Sequence, residues 1–215
     1  MIVTIDGPAG AGKSTAARKL AERLEFEFLD TGAMYRAVAY AATQRDHPWE
    51  DIDGLATLAA ALEIELKPGQ VLLDGDDVSA AIRTREVTAV TYHAADNAAV
   101  RAILVDKQRA AAADKNIVTE GRDQGTVVFP NAECKIFLTA TSEERARRRV
   151  ADLARAGIEA SYEDVLAEQT LRDQRDEQRA CGPLVQADDA VVIVTDNTEE
   201  SEVVDHLEMI VRQRM

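Results

Sequence analysis

A glycine-rich stretch near the start of the sequence has the residue types that are needed to hold a chain of phosphates. It reads Gly7-Pro8-Ala9-Gly10-Ala11-Gly12-Lys13-Ser14-Thr15 and contains the full pattern G-x-x-x-x-G-K-[ST]. Glycines let the backbone wrap so that N–H groups point at phosphate oxygens, and the following helix adds the positive end of its dipole. The pattern predicts a nucleoside triphosphate site in which Lys13 reaches the β- and γ-phosphates and the Ser14 hydroxyl holds Mg²⁺.

This loop does not define a reaction by itself, because ATPases, GTP-dependent switches, motors and small-molecule kinases all use it. The sequence has no guanine-reading pattern of the type N-K-x-D, since neither Asn116 nor Asn131 is followed by Lys-x-Asp. The reaction must therefore be inferred from residues elsewhere in the chain.

Arginines at three further places could stabilise the charge of a transferred phosphoryl group. Arg36 follows Asp30-Thr31-Gly32, and Arg122 directly follows a predicted strand. A third group has the spacing i, i+3 and i+7, which predicts one narrow helix face that binds an anion; its members are Arg172, Arg175 and Arg179. Three arginines of the preceding helix are interpreted instead as part of a solvated surface, and these are Arg147, Arg149 and Arg155.

Five short apolar segments alternate with helical patterns along the chain. They cover residues 2–5, 26–29, 117–119, 135–138 and 190–194. This alternation predicts an α/β three-layer sandwich of the P-loop NTPase type, with helices on both faces of a five-stranded parallel sheet. Ligands of such sheets bind beyond the carboxyl ends of the strands, which is where the glycine loop, Asp30 and Gly121 fall.

Capping and turn residues place the helices and a second, smaller sheet. Thr31, Ser142 and Ser161 are expected to cap helices that end near residues 43, 157 and 180. Residues 88–113 are expected to form one long helical stretch. Residues 63–66 and 71–74 are expected to pair as an antiparallel hairpin, within an insertion over residues 63–85 that interrupts the α/β alternation.

The composition indicates an ordinary globular domain. The chain has 215 residues, of which 46% are hydrophobic and 4% aromatic, and its formal net charge is −14. A uniformly acidic surface repels nucleic acid and anionic membranes, so we expect neither as a partner. Two isolated cysteines, Cys134 and Cys181, indicate no zinc site and a cytoplasmic protein, and the first residues lack the features of a signal peptide. No apolar run reaches the length of a membrane span. No obvious apolar patch predicts an oligomer, so we expect a monomer.

Several stretches of the sequence match one known family. The most specific of them is G-R-D-x-G-T-V-V-F-P at residues 121–130, and the others are residues 5–14, 29–36, 77–79 with 82–84, 135–138 and 172–176. In these stretches, which span nearly the whole chain, the sequence resembles bacterial cytidylate kinases, a family of nucleoside monophosphate kinases. The resemblance implies transfer of the γ-phosphate of ATP to CMP or dCMP, with Mg²⁺ as the cofactor. It also implies a core of residues 1–30, 114–144 and 181–215, an NMP-binding region of residues 31–113, and a helical lid of residues 145–180.

The resemblance further implies roles for single residues. The implied CMP-binding residues are Thr31, Tyr35, Arg36, Arg101, Arg122, Asp123, Arg172, Asp176 and Arg179. Within this set the CMP phosphate would be held by Arg36, Arg122 and Arg179, and the sugar would meet Tyr35, Arg172 and Asp176. Arg101 and Asp123 would read cytosine, since a carboxylate suits the exocyclic amine that uracil lacks. The implied catalytic residues are Lys13, Arg122, Arg175 and Arg179, and the residue near the adenine of ATP would be Arg148.

The sequence departs from the family pattern at two positions. Gln124 stands where the family usually has Met. Tyr92, preceded by Thr91, stands where the spacing places a base-contacting Ser. Either the helix is rearranged locally or this contact with cytosine differs.

Taken without the resemblance, the residues leave two other functions open. The protein could be another small P-loop kinase, or it could be a non-enzymatic module that uses ATP as a switch. The arginines of the predicted lid favour a kinase, because a pure switch does not need them. A switch module should also have no site for a nucleoside monophosphate.

Overall fold

The computed structural model describes residues 1–155 and 157–215. The chain divides into two compact units, one formed by Met1–Phe28 with Lys115–Met215 and the other by Leu29–Asp114. Each unit has its own hydrophobic core. No helix among the described residues is long and apolar enough to cross a membrane.

Strands and helices alternate along most of the chain. The strands are β1 (Ile2–Asp6), β2 (Glu27–Asp30), β3 (Ile64–Lys67), β4 (Gln70–Leu73), β5 (Asp76–Asp77), β6 (Ile117–Gly121), β7 (Cys134–Thr139) and β8 (Val191–Val194). The helices are α1 (Lys13–Leu24), α2 (Thr31–Gln44), α3 (Ile52–Ala61), α4 (Arg85–Asp96), α5 (Ala98–Ala112), α6 (Ser142–Arg155), α7 (Tyr162–Gln178) and α8 (Glu200–Arg212). A 3₁₀ turn at Ala81–Arg83 and a π-helical turn at Gln124–Val128 complete the regular structure of the described residues.

The main sheet has the strand order β2-β6-β1-β7-β8. Strand β1 pairs in parallel with β6 and with β7, and β7 pairs in parallel with β8. The predicted five-stranded parallel sheet is therefore confirmed. The smaller sheet has the order β3-β4-β5 and is antiparallel, with Ile64 opposite Leu73 and Lys67 opposite Gln70, so the predicted hairpin is confirmed as well.

The core of the first unit follows from the patterns in β1, α1 and α8. Val3 and Ile5 of β1 are fully buried, and so is Thr4 between them, because a central parallel strand is covered on both faces. The apolar side chains of α1 and α8 recur at helical spacing and pack into the same cluster; they are Ala16, Ala17, Leu20, Leu24, Val203, Val204, Leu207 and Val211. This core holds β1 and α1 in place on either side of the glycine loop.

Two of the three predicted helix caps are wrong by one residue. The Asp30 carboxylate accepts from the N–H of Ala33 at 3.0 Å, so Asp30 caps α2 and Thr31 is its first residue. The Thr141 hydroxyl accepts from the N–H of Glu144 at 3.3 Å, so Thr141 takes the position predicted for Ser142. In both places two cap-forming residues are adjacent, and the path of the backbone decides between them. The prediction for Ser161 is confirmed.

The long helical stretch predicted over residues 88–113 is in fact two helices. Helix α4 ends at Asp96, and α5 begins at Ala98. Asn97 separates them, because its side-chain oxygen accepts from the N–H groups of Ala99 and Val100 at 3.0 and 3.1 Å and so caps α5. The Asn97 amide nitrogen also donates to the Ile52 carbonyl oxygen at 2.9 Å, which fixes the break.

Candidate functional site

The phosphate loop connects β1 to α1, as the sequence motif requires. Its three glycines, Gly7, Gly10 and Gly12, have φ values of 147°, 79° and 87°. At Gly7 a Cβ atom would lie 1.9 Å from the carbonyl oxygen of Leu138, so a side chain cannot be accommodated there. The backbone of the loop thus depends on glycine both for conformation and for space.

Lys13 lies inside this loop. Only 5% of the residue is exposed, and its Nζ donates to the Pro8 carbonyl oxygen at 2.7 Å. Burial, followed by the charge of Arg122, lowers the pKa of Lys13 to about 7. A bound polyphosphate would add negative charge next to Lys13 to that of Glu120 and Asp6, and would favour the protonated form of the lysine.

Ser14 and Glu120 bring two oxygen ligands together. The Ser14 hydroxyl donates to Glu120 Oε1 at 2.8 Å, and Glu120 is buried at the end of β6. Hydroxyl and carboxylate oxygens suit Mg²⁺, so this pair fits the cation that the loop implies. Among the described residues no group of three or more His, Cys, Asp or Glu side chains could hold a metal ion, so Mg²⁺ would depend on nucleotide phosphates for further ligands. Thr15, in the next position of α1, is exposed.

A group of charged residues lies where β6 ends and α7 ends; we call it the arginine cluster, and it consists of Arg122, Asp123, Arg172, Asp176 and Arg179. Arg122 Nε donates to Asp176 Oδ2 at 2.7 Å. The guanidinium of Arg179 lies 3.9 Å from Asp123 Oδ1 and 3.9 Å from Asp176 Oδ1. The charge of Arg172 acts on Asp176 and on Lys13. The structure thus brings together these five predicted site residues of the first unit.

The ion pair between Arg122 and Asp176, at the centre of the arginine cluster, stays charged. Burial lowers the pKa of Arg122, but the negative charges of Asp176 and Glu120 outweigh burial and raise that pKa. Burial raises the pKa of Asp176, but the charge and hydrogen bond of Arg122 outweigh it and lower that pKa below its ordinary value. Arg122 and Arg179 are therefore held in place by the largely buried carboxylates of Asp123 and Asp176, an arrangement that suits recognition of an anionic group.

The prediction that Arg172, Arg175 and Arg179 share one helix face is wrong for Arg179. Helix α7 ends at Gln178, and Arg179 follows it in an extended conformation, so Arg179 does not continue the face. Its Nε donates instead to the Gly182 carbonyl oxygen at 2.5 Å. Arg172 and Arg175 lie on α7 and are exposed. The spacing argument failed because the helix is two residues shorter than predicted.

Helix α6 contains a basic run, residues 145–149, and its arginines have different partners. Arg147 and Arg148 both donate to Glu144, and Arg148 also donates to the hydroxyl and carbonyl oxygens of Thr195. Arg155 pairs with Asp152, in agreement with the surface interpretation. Arg149 is exposed, also in agreement with that interpretation. Arg145, by contrast, is buried against the phosphate loop, and it was given no role on the basis of sequence.

In the second unit, the predicted site residues lie on α2 and α5. Tyr35 and Arg101 are both buried, and the guanidinium carbon of Arg101 lies 5.4 Å from the centre of the Tyr35 ring, in cation–π contact. Arg36 Nη1 donates to Thr88 Oγ1 of α4 at 2.6 Å. Thr31 is buried at the start of α2. Tyr35 and Arg101 are thus in contact, and Arg36 is adjacent to Tyr35 in sequence.

Tyr92, one of the two positions at which the sequence departs from the family pattern, belongs to an aromatic stack. The rings of Tyr92 and His93 are 4.0 Å apart, and the ring of Trp49 lies 4.6 Å from that of His93. Tyr92 remains 37% exposed. The neighbouring Thr91 hydroxyl donates to the Val87 carbonyl oxygen of its own helix at 2.6 Å.

Asp6 was also missed by sequence reasoning. Its carboxylate is buried at the end of β1 and accepts from the N–H groups of Gln124 and Gly125 at 2.9 and 2.7 Å. These two residues directly follow Arg122 and Asp123. Asp6 therefore connects the strand that precedes the phosphate loop to the segment that carries two residues of the arginine cluster.

Replacing Asp6 with Asn is expected to change how stability depends on pH. Burial raises the pKa of Asp6 from 3.8 to about 6, and the charge of Asp123 adds to this rise. The stability that a protonated Asp6 gives is complete below about pH 4 and is lost as the pH rises through about 6. One pKa unit corresponds to about 1.4 kcal/mol. The difference between the free energies of unfolding of the variant and the wild type should therefore shift in favour of the variant by up to about 3 kcal/mol as the pH rises from 4 to 7.

Urea unfolding followed by circular dichroism across this pH range measures the difference. Asp152→Asn, a change of an exposed carboxylate, is the control and should leave the difference from wild type nearly constant. Parallel curves for the wild type and Asp6→Asn would show that Asp6 does not titrate in this window.

The sheet order and the phosphate loop define a P-loop protein. The structure of shikimate kinase from Bacteroides thetaiotaomicron has the same fold, with a TM-score of 0.50, 13% identity, and coverage of 99% of this chain and 98% of that one. A model of the cytidylate kinase family matches residues 3–213. The cytidylate kinase of Rhodopirellula baltica is 48% identical over 213 residues, which are 99% of this chain and 93% of the relative. That of Lysinibacillus sphaericus is 50% identical over 197 residues, covering 90% of this chain and 88% of the relative. The chain belongs to the cytidylate kinase family.

Proposed function

We propose that this protein transfers the γ-phosphoryl group of ATP directly to CMP and dCMP and so forms CDP and dCDP. Membership of the cytidylate kinase family supports this activity. The structural observation that carries it is the presence, in one unit, of a phosphate loop with a buried Lys13 and of the arginine cluster built on the Arg122–Asp176 ion pair. The charge of Arg122 also lowers the pKa of Lys13. Positive charges from a loop lysine and from several arginines suit a transferring phosphoryl group, whose charge must be stabilised on all sides.

We propose that the donor and acceptor nucleotides use different residues. Residues 7–15 would bind the phosphates of ATP, and Arg148 would lie near its adenine. CMP would be recognised by Thr31, Tyr35, Arg36, Arg101, Arg122, Asp123, Arg172, Asp176 and Arg179. These roles come from the resemblance, and the hydrogen bonds and burial within each unit are consistent with them.

In the proposed reaction an oxygen of the CMP phosphate attacks the γ-phosphorus of ATP, and the bond from that phosphorus to the bridging oxygen of ADP breaks. Lys13, Arg122, Arg175 and Arg179 would stabilise the charge on the transferring group. Ser14 and Glu120 are the residues that would hold Mg²⁺, which neutralises charge on the β- and γ-phosphates when it is bound.

We also propose that the protein works in the cytoplasm as a monomer with small-molecule partners. The net charge of −14 supports the absence of a nucleic-acid partner, because a negative surface repels the phosphate backbone. The switch-module alternative is not favoured, because its ligand would need no arginine cluster.

The proposed activity is tested by assaying phosphoryl transfer from ATP to CMP, dCMP, UMP and AMP at equal concentrations. CMP and dCMP should give the highest kcat/KM. A higher value for AMP or UMP would contradict the cytosine assignment. Isothermal titration with CMP alone should detect a monophosphate site, whereas a switch module would show none.

A further inference from the structure

Arg145 is directed away from solvent, in contrast to its neighbours in the basic run of α6. Its side chain is 7% exposed, whereas that of Arg147 is 62% exposed. Arg145 Nε donates to the Ala140 carbonyl oxygen at 3.0 Å. Its Nη1 donates to the Ala9 carbonyl oxygen at 2.9 Å and to Asp173 Oδ2 at 2.6 Å. One guanidinium therefore contacts both the phosphate loop and α7.

The packing around this guanidinium is close. At Gly10 of the phosphate loop, a Cβ atom would lie 3.0 Å from Gln169 Nε2 and 3.3 Å from Arg145 Cβ. Gln169 is buried in α7, and its Nε2 lies 3.4 Å from the Arg145 carbonyl oxygen. The loop, the first turn of α6 and the middle of α7 thus meet at one place, where a side chain at Gly10 would be tightly packed.

Asp173 connects Arg145 to the arginine cluster, because helix α7 carries both Asp173 and members of that cluster. It lies next to Arg172 and one helical turn before Asp176, which pairs with Arg122. The side chain of Asp173 is only 13% exposed, so losing its cation would leave a buried charge uncompensated. A shift of Arg145 would therefore move α7 together with the cluster residues that α7 carries.

We propose that Arg145 is a positioning residue that couples the phosphate loop to helix α7. It fixes the Ala9 carbonyl group on one side and Asp173 on the other, so the loop that receives the donor phosphates sets the position of Arg172, Arg175 and Asp176. The catalytic consequence rests on the proposed function, whereas the mechanical coupling does not.

Kinetic measurements on Arg145→Lys, Asp173→Asn and the double variant test the coupling. Lysine keeps the charge but lacks the planar fork that reaches three acceptors at once. With both nucleotides saturating, each single variant should lose tenfold or more in kcat per folded molecule, and the double variant should lose no more than the worse single variant. Arg147→Lys, two residues further along α6 and exposed, is the matched control and should stay within twofold of wild type.

Hydrogen exchange without nucleotide gives a readout that is independent of activity. Arg145→Lys should speed amide exchange in α7 and in residues 7–12 and leave α8 unchanged. Losses of kcat that multiply in the double variant, or exchange in α7 that equals wild type, would overturn the proposal and leave Arg145 a purely structural residue. If wild-type protein does not phosphorylate CMP, the proposed function fails, and the exchange measurement still decides the coupling.

Discussion

Replacing Lys13 with Met is expected to lower kcat by about 10²–10³-fold, the loss that follows removal of one preorganised charge at a transition state. The fold should not suffer, because burial already lowers the pKa of Lys13 to about 7 and so makes its charged form costly in the folded protein. The variant is expected to melt at the same temperature as the wild type or higher. Steady-state kinetics with ATP and CMP, together with thermal melts, measure both effects.

Lys19→Met is the matched control for this experiment. Lys19 lies on the same helix, is 54% exposed and pairs with Glu200 at the surface. Its replacement should leave kcat within twofold of the wild type, since exposed ion pairs contribute little. If Lys13→Met kept kcat within threefold, Lys13 would have no part in phosphoryl transfer.

Replacing Asp123 with Asn is expected to lower the ratio of kcat/KM for CMP to that for UMP by about 10²-fold. The Asp123 side chain is only 5% exposed, and a carboxylate accepts from the exocyclic amine of cytosine but repels O4 of uracil. An Asn amide can donate to O4, so the variant loses the basis for rejecting UMP. The four-substrate assay described above, repeated with the variant, measures the ratio.

The KM for ATP is the internal control for Asp123→Asn. It should change by less than threefold, because the proposed role of Asp123 concerns the acceptor alone. A loss that is equal for CMP and UMP and accompanies a higher KM for ATP would show that Asp123 supports the structure of the arginine cluster through Arg179 and does not read the base.

The phosphate loop and the main sheet could be predicted because they depend on short-range patterns. The conformation of the loop is set by its own glycines, and the strands are short apolar runs that only a buried position explains. Their positions along the chain then place the loop and Gly121 at one edge of a parallel sheet. The hairpin of β3 and β4 was predictable for the same reason.

The different environments of Arg145 and Arg147 could not be predicted from the sequence. The two residues are separated by one position in a basic run, and both fit an exposed helix face. What distinguishes them is Asp173, which is 28 residues further along the chain and accepts a hydrogen bond from Arg145. This contact depends on how α6 and α7 pack, and the spacing of charges within one helix contains no information about that packing.

Asp6 and Glu120 were missed for a related reason. An acid at the end of a strand usually lies in solvent. In this structure Asp6 instead accepts hydrogen bonds from the N–H groups of Gln124 and Gly125, and Glu120 accepts one from the hydroxyl of Ser14. Their adjacency to the phosphate loop and to Arg122 was the available signal. Strand order was needed to use it, because β1 and β6 are neighbours in the sheet but lie more than a hundred residues apart in sequence.

The stack of Trp49, His93 and Tyr92 has a spectroscopic consequence. Trp49 is the single tryptophan of the chain, so indole emission originates from one position in the second unit. Its ring lies 4.6 Å from that of His93, and a small movement of α4 would alter the electronic surroundings of the indole. The protein thus contains its own fluorescent reporter, placed next to the helix that carries the unusual Tyr92, and its signal can be followed without turnover.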